Sequence, residues 1–370
     1  MPSLASTLEP EPHGRYIPQL DSLRAFAVIS VMLLHFHPHP SAVLKFLGRE
    51  GVRFFFVLSG FLITGILLSS RLRIRQEGQT IWQSLRIFYV RRFLRIFPPY
   101  YAILAVLAVL LVPNVTKYLA WHLTFTTNFL IARLKHWPTP VGHFWTLAVE
   151  EQFYVLWPLL LLLVPGRFLF LLVMATIATG LGFRIIAEVL GLNAFIWLLT
   201  PAALDALGMG ALLALAGYSR QTKIALSIGS IAALSRLCIP KSALAYEVSE
   251  TGLTCLYALI ILLASTGKIR WFQKVLCAAP ITFLGKISYG VYLYHVPVAW
   301  LFRGLVERGA RHRILLGEEA YFILAYGFIT IGIASMSWFF FERPILGLKN
   351  RFAYDVIATP IESNRGEVVR

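Results

Sequence analysis

The amino-acid sequence predicts an all-α, polytopic membrane protein: a helical bundle of about ten transmembrane helices. Hydrophobic residues make up 58% of the 370 residues and charged residues only 14%, whereas soluble globular domains are roughly 45–50% apolar. The mean hydropathy of the chain is +0.70. Apolar runs near the roughly 20 residues that cross a bilayer recur along the whole sequence. Together these observations exclude a soluble globular domain.

The first half of the chain contains five predicted spans. The first carries Arg24 and His35, and the fourth is interrupted by Glu150 and Glu151. Residues 121–131 are too short to cross, so we expect them to lie at the interface or to re-enter the membrane. The five spans are placed at 20–38, 51–70, 96–112, 144–164 and 168–190.

The second half supplies five more spans. The sixth is rich in glycine and contains Asp205, and small residues in a membrane helix allow close packing against its neighbours. These spans are placed at 202–217, 224–239, 251–266, 281–302 and 320–341. Around them, residues 1–19 are expected to form a cytosolic tail, residues 20–348 the membrane domain and residues 349–370 a second cytosolic tail.

The distribution of basic residues predicts the topology. The loop between the second and third spans holds seven arginines against the single acid Glu77, and such loops remain cytoplasmic. An even number of spans then places both termini in the cytoplasm. The formal net charge of +16 does not indicate nucleic-acid binding, because the basic residues are scattered and form no such motif. We interpret them as contacts to anionic membrane lipids and as candidates for binding a polyanionic ligand.

Arg24 and His35 are two ionisable residues at unusual depths in the first span. Eleven residues separate them, so both leave a helix on nearly the same face, about 16 Å apart along its axis. Ionisable residues inside a membrane usually mark a functional site. The alternative interpretation is that Arg24 anchors the cytoplasmic end of the helix and that His35 is an interfacial residue.

A cluster of arginines precedes the Phe97-Pro98-Pro99 segment, where we expect a break at the start of the third span. Arg92 and Arg95 share one helical face, an arrangement that suits phosphate oxygens, and Arg91 lies beside them. An anchor on anionic lipid is the competing interpretation.

The fourth span offers a candidate base. Because it enters from the outer side, Glu150, Glu151 and Tyr154 are expected at the depth of His35. A carboxylate beside a histidine stabilises the imidazolium that forms when the histidine accepts a proton. Two adjacent glutamates cannot point the same way, so we expect one to face the cavity and the other to make a structural bond.

In the ninth span, Ser288, Tyr292 and His295 recur at helical spacing and predict a polar stripe that lines a cavity. The histidines of the chain lack plausible metal-ligand partners at suitable spacing, so no metal site is predicted.

Several ordered motifs resemble those of the acyltransferase-3 family of integral-membrane O-acyltransferases, which modify bacterial polysaccharides, Nod factors and macrolides. The resemblance covers residues 16–348. The motifs are the Arg-x10-His of Arg24 and His35, and the segments FFFVLSGFLI (54–63), RRFLRIFPPY (91–100), FWTLAVEEQFYVLWP (144–158), ISYGVYLYH (287–295) and FERP (341–344).

The resemblance implies a bacterial inner-membrane enzyme that transfers a short acyl group, such as acetyl, from acyl-coenzyme A to a hydroxyl of a carbohydrate or similar acceptor. It implies that His35 is the catalytic base and that Arg24 is its partner in the Arg-x10-His motif. It also makes Arg92 with Arg95 an RxxR pair for coenzyme A phosphates. Some relatives carry a periplasmic hydrolase-like domain, which is not expected after this membrane body.

Combining the residues with the resemblance gives one mechanism. His35, oriented by Glu150 or Glu151, deprotonates the acceptor for direct attack on the thioester, since no serine or cysteine stands in a recognisable nucleophile-base arrangement. Ser59, Tyr154 or Tyr292 would stabilise the oxyanion. The residues expected to contact the acyl-coenzyme A donor are Arg24, Arg91, Arg92, Arg95, Ser59, Tyr154, Tyr292 and His295.

Two other classes of function use similar residues. A transporter or flippase for a glycan or lipid-linked sugar would also place ionisable residues at mid-membrane, although no repeat is detectable in this chain. A non-catalytic binding or sensor protein is the third class. Acceptor-dependent release of free coenzyme A distinguishes the enzyme from both.

Overall fold

A computed structural model describes residues 16–192, 195–236, 243–266, 270–310 and 317–352. Every regular element in these ranges is a helix, which confirms the all-α class. Most of the two predicted tails, residues 1–15 and 353–370, lies outside the described residues.

Seventeen α-helices follow one another along the described chain. They are α1 (Pro18–Phe36), α2 (Ala42–Gln76), α3 (Ile81–Val109), α4 (Pro113–Lys117), α5 (Leu119–Leu123), α6 (Thr127–Leu134), α7 (Trp145–Leu163), α8 (Leu169–Val189), α9 (Thr200–Ala216), α10 (Arg220–Arg236), α11 (Ala243–Thr266), α12 (Arg270–Leu276), α13 (Ala279–Lys286), α14 (Ser288–Leu301), α15 (Arg303–Ala310), α16 (Glu318–Ser337) and α17 (Arg343–Gly347). Short 3-10 or π turns precede α7, α8 and α9 and flank α17.

Seven helical segments in the described ranges are long and apolar enough to cross a membrane. They contain α1, α2, α3, α7, α8, α11 and α16, and α9 is a shorter apolar helix. The predicted count of ten is therefore not confirmed. The predicted seventh span corresponds to α10, which has only 17 residues. The predicted ninth span is divided at Ile287 into α13 and α14.

Two helices extend well beyond their predicted spans. The second has 35 residues, a length of about 52 Å, so it extends beyond a hydrocarbon core of about 30 Å. The third begins at Ile81, where Thr80 and Gln83 form a capping box. It continues through Pro98 and Pro99, so the expected break is absent from this described helix. Prolines are tolerated in membrane helices because neighbouring groups satisfy the carbonyls that they release.

Close packing of α2 against α9 forms the centre of the bundle. Cβ atoms added at Gly60 or Gly210 would overlap the carbonyl oxygens of Leu207 and Val57, respectively. Only glycine permits this approach of the two backbones. The prediction that the sixth span packs closely is thus explained by residues on both helices.

An ion-pair network joins α2, α8, α9 and α11. The Asp205 carboxylate accepts from Arg53 at 2.9 Å and pairs with Arg184 at 2.8 Å. Asp205 is fully buried, and a charge at such a position requires partners. The network continues through the pairs Arg184–Glu247, Arg49–Glu250 and Arg49–Glu50.

Candidate active site

A cavity of about 90 Å³ lies between α1, α2, α3, α7 and α14. Its wall combines apolar side chains from α2 with three arginines, two glutamates and several hydroxyl groups. The polar lining residues are Arg24, Ser59, Arg92, Arg95, Thr146, Glu150, Glu151, Tyr154, Ser288, Tyr289 and Tyr292. The structure therefore gathers most of the predicted site residues around one space.

The arginines of this cavity are held by different contacts. Arg24 donates to Asp21 at 2.6 Å, and Asp21 also accepts from Tyr16 at 2.6 Å. The guanidinium of Arg92 lies over the ring of Tyr154, 5.6 Å from its centroid. Stacking of this kind holds a guanidinium while leaving its N–H groups available to an anion.

A hydrogen-bonded chain connects α2 with α7 on the cavity wall. The Tyr154 hydroxyl donates to Ser59 Oγ at 3.1 Å, and Ser59 Oγ donates to Glu150 Oε1 at 2.5 Å. A serine thus does hydrogen-bond to a carboxylate, a pairing that the sequence had not indicated because 91 residues separate the two.

Both glutamates contribute to the cavity, so the expectation that only one would face it is wrong. Glu150 is partly buried, and Glu151 is 9% exposed. Glu151 Oε1 has no hydrogen-bond partner among the described residues. The side chains of adjacent residues on a helix point in different directions, but this cavity extends across several helices, so both glutamate side chains reach it.

His35 does not line this cavity. Its Nδ1 donates to the Val31 carbonyl at 2.8 Å, and its ring meets that of His295 with 4.9 Å between centroids. Neither Glu150 nor Glu151 forms a hydrogen bond or ion pair with it in the described part of the chain. The side chain of His35 is exposed near the end of α1.

The helical rise explains why the expected pairing of His35 with a glutamate does not occur. His143, in the turn Gly142–Phe144 before α7, reaches the level of His295, with 4.7 Å between ring centroids. Glu150 follows seven residues later, which places it about 10 Å deeper along the helix. The glutamates consequently lie with the arginines instead of with His35.

A column of rings links His35 to the cavity. Tyr292 contacts both His143 and His295, with ring centroids 5.6 Å and 5.4 Å away, respectively. The hydroxyls of Tyr292 and Thr146 are hydrogen-bonded at 2.6 Å, and both residues line the cavity. The residues of the predicted stripe on α14 therefore lie in two places. Ser288 and Tyr292 face the cavity, and His295 lies beside His35.

A second cavity, of about 190 Å³, adjoins the first through Arg92 and Arg95. Arg91 and Lys349 also line it, with apolar contributions from Ile66 and Phe88. Burial, together with the positive charges of Arg95, Arg92 and Arg91, lowers the pKa of Lys349 to about 7. No acidic side chain lines this cavity in the described residues, an arrangement that favours anions.

Sequence reasoning missed several residues of the site. Asp21, three positions before Arg24, could have been found from its spacing. Lys349 had been assigned to a cytosolic tail, and only the folded chain brings it to the arginines. In the FERP motif, Glu342 accepts a hydrogen bond from Ser337 at 2.8 Å.

Comparison with known proteins gives a consistent set of relatives. A family model described as "Acyltransferase domain" matches residues 17–340. The chain is 29% identical over 366 residues to "Peptidoglycan O-acetyltransferase OatA" of Listeria monocytogenes, covering 90% of this chain and 56% of that protein. It is 28% identical to "Putative peptidoglycan O-acetyltransferase YrhL" of Bacillus subtilis, covering 90% and 55%. For "O-acetyltransferase OatA" of Staphylococcus aureus the identity is 28%, covering 90% and 57%.

The chain thus spans a little over half the length of these curated relatives. No solved structure matches it.

Proposed function

Because this chain belongs to the acyltransferase domain family, we propose that it is a membrane O-acyltransferase that transfers a short acyl group from acyl-coenzyme A to a carbohydrate hydroxyl. Relatives are named as peptidoglycan O-acetyltransferases, which favours acetyl as the acyl group and a cell-surface glycan as the acceptor. The proposal includes a location in the bacterial inner membrane, with both termini in the cytoplasm.

The observation that carries the proposal is the layered site. Two adjoining cavities share Arg92 and Arg95, and an exposed histidine stands beyond the ring column at their other end. Guanidinium groups suit the phosphates of a coenzyme A donor. An imidazole with one nitrogen bound to a carbonyl has its other nitrogen available as a base.

Each group then has a distinct role. Arg91, Arg92, Arg95 and Lys349 hold the phosphates, and the first cavity receives the pantetheine arm. His35 Nε2 accepts the proton of the acceptor hydroxyl as that oxygen attacks the thioester carbonyl, and the proton passes to the departing thiolate. Tyr292 and Thr146 stand between the cavity and His35, so the thioester must pass their hydroxyls to reach the base.

Ser59, Tyr154 and Glu150 support the donor cavity in this proposal. Their hydrogen bonds fix the part of the wall on which Arg92 stacks. The Tyr292 hydroxyl, which lies 3.1 Å from the His143 carbonyl, would leave that carbonyl and donate to a developing oxyanion. Arg24, paired with Asp21, contributes guanidinium N–H donors to the cavity without adding net charge.

The test is consumption of acetyl-coenzyme A by the detergent-purified protein, followed by thiol release and by mass spectrometry of a peptidoglycan-fragment acceptor. We expect acceptor-dependent thiol release and an acetylated product. In His35→Gln, donor binding should persist while turnover falls by at least about a hundredfold, the usual contribution of a general base.

Arg92→Gln/Arg95→Gln should show the opposite behaviour, with donor binding weakened at least tenfold. Arg86→Gln is its matched control, because Arg86 lies on the same helix but is exposed and lines neither cavity. A parent protein that neither binds nor consumes acyl-coenzyme A would contradict the proposal and direct attention to glycan transport.

A further inference from the structure

Three imidazole rings contact one another in succession between the exposed end of α1 and the donor cavity. The centroid of His295 lies 4.9 Å from that of His35 and 4.7 Å from that of His143. His295 is fully buried, and His143 is 6% exposed. The mechanism described above uses only the first of these rings, so the other two require an explanation.

Backbone carbonyls determine the tautomer of each ring. Nδ1 of His35 lies 2.8 Å from the Val31 carbonyl, Nδ1 of His295 lies 2.6 Å from the Tyr292 carbonyl, and Nε2 of His143 lies 3.2 Å from the Leu293 carbonyl. A carbonyl oxygen can only accept, so each of these nitrogens must donate. The remaining nitrogen of each neutral ring is therefore an acceptor.

Two of these acceptor nitrogens are buried without partners. His295 Nε2 and His143 Nδ1 have no hydrogen-bond partner among the described residues. Buried polar atoms are almost always hydrogen-bonded, and the exceptions call for a reason such as a catalytic role. Each of these nitrogens carries a lone pair, and a fixed dipole of this kind in a low-dielectric site stabilises a positive charge that forms beside it.

We propose that His295 is a positioning residue for His35, and that its unprotonated Nε2 stabilises the positive charge that His35 acquires when it takes the acceptor's proton. This inference rests on the proposed function of His35 as base. It assigns to a neutral imidazole the supporting role that the sequence had suggested for a glutamate.

The proton balance is simple. The acceptor O–H bond breaks and its proton forms an N–H bond at His35 Nε2, while His295 stays neutral. When the carbon–sulfur bond breaks, the proton leaves His35 for the thiolate, and His35 returns to its neutral form. His143 Nδ1 is the next unprotonated nitrogen, on the far side of His295.

The surroundings of His295 favour this arrangement. The titratable groups that face it are His35 from α1, His143 from the turn before α7 and Tyr292 from its own helix, while Tyr326 of α16 lies against Phe36. No carboxylate forms a hydrogen bond or ion pair with either His35 or His295 in the described residues. The imidazole of His295 is thus the polar side chain that adjoins a protonated His35.

The test compares His295→Phe, which keeps a ring but removes the lone pair, with His295→Asn, whose side-chain oxygen can accept. His122→Phe is the matched control. His122 is also fully buried with an unpartnered Nε2, but it bonds to Thr127 and has no ring contact with the column.

We expect His295→Phe to lower kcat about a hundredfold while the Kd for acetyl-coenzyme A stays within twofold. The acid limb of its pH–rate profile should move to lower pH by about one unit, because protonated His35 has lost the lone pair that stabilised its charge. His295→Asn should recover at least tenfold of the lost rate, and His122→Phe should behave as the parent.

A second readout does not depend on turnover: 15N NMR of protein labelled at its histidines, with His35→Gln used for assignment. On acidification the His35 and His295 signals should change together, and in His295→Phe the His35 change should move to lower pH. An unchanged His35 titration in that variant would overturn the inference, whatever the activity.

Equal losses of rate in His295→Phe and His122→Phe would also overturn it, because they would indicate a purely structural role. If the parent protein consumes no acyl-coenzyme A, the proposed function fails. The NMR titration still decides separately whether His295 stabilises the charged form of His35.

Discussion

At the scale of single residues, Lys349 is the group whose charge changes near neutral pH. Its pKa is lowered to about 7, first by burial and then by Arg95, Arg92 and Arg91. The lysine is therefore charged below that pH and loses its charge as the pH rises. A phosphate bound beside it favours the charged form, so binding should take up a proton.

We accordingly predict that the affinity for acetyl-coenzyme A falls about tenfold between about pH 6 and pH 8, as expected for one linked proton. Lys349→Arg keeps its charge throughout this range, so its affinity should vary little with pH. Lys349→Met should bind weakly at both ends. Titration calorimetry of the three proteins gives the comparison. The same tenfold fall in Lys349→Met would mean that another group is responsible.

Also at this scale, Ser59 connects Tyr154 to Glu150 on the cavity wall. Ser59→Ala removes both hydrogen bonds and leaves a carboxylate oxygen without its donor, which typically costs about 1–3 kcal/mol. We predict a lower thermal midpoint and a donor Kd raised at least threefold. Ser69→Ala is the control, because Ser69 bonds only to its own helix at Gly65. Equal effects of the two changes would contradict this role.

At the scale of helices, the contact of α2 with α9 depends on glycine. A Cβ at position 60 would overlap the Leu207 carbonyl, whereas one at position 65 of the same helix meets no atom within 4 Å. Forcing the backbones apart should cost about 1–3 kcal/mol. We predict that Gly60→Ala lowers the thermal midpoint in detergent and Gly65→Ala does not. Similar midpoints would show that the helices separate without cost.

The buried ion pairs form a second link between helices. Removing one partner of such a pair leaves an uncompensated charge and typically costs about 3–5 kcal/mol. Asp205→Ala, which leaves Arg53 and Arg184 without their shared carboxylate, should therefore be strongly destabilised. Glu307→Ala is the control, because the Arg303–Glu307 pair is exposed at 73% and 47% and exposed pairs contribute little to stability. Comparable losses of thermal stability in the two variants would contradict the prediction.

The helices also show what sequence spacing could predict. A continuous α1 carries Arg24 to the cavity and His35 to the ring column, as their eleven-residue separation indicated. Local periodicity likewise predicted the stripe on α14. The break at Ile287 and the helical course of α3 through Pro98 and Pro99 were not predicted, because packing against neighbouring helices decides whether such segments bend.

At the scale of the whole molecule, the contacts that define the site join residues far apart in the chain. Ser59 meets Glu150 across 91 positions, and Arg53 meets Asp205 across 152. No local pattern encodes such pairs, so the ion-pair network and the place of Lys349 could not be predicted. The depth of Glu150 was in principle predictable, because seven residues of helical rise separate it from His143.

Within the bundle, the arginine-lined cavity and the exposed His35 lie at different depths. This arrangement predicts that the donor enters from the cytoplasmic side and that the acceptor meets His35 from the other side. Sealed membrane vesicles of opposite orientation test this directly, with acetyl-coenzyme A added only outside and acceptor acetylation measured by mass spectrometry. The layered site predicts acetylation in inside-out vesicles and none in right-side-out vesicles. Equal acetylation in both orientations, or acetylation only in right-side-out vesicles, would contradict it.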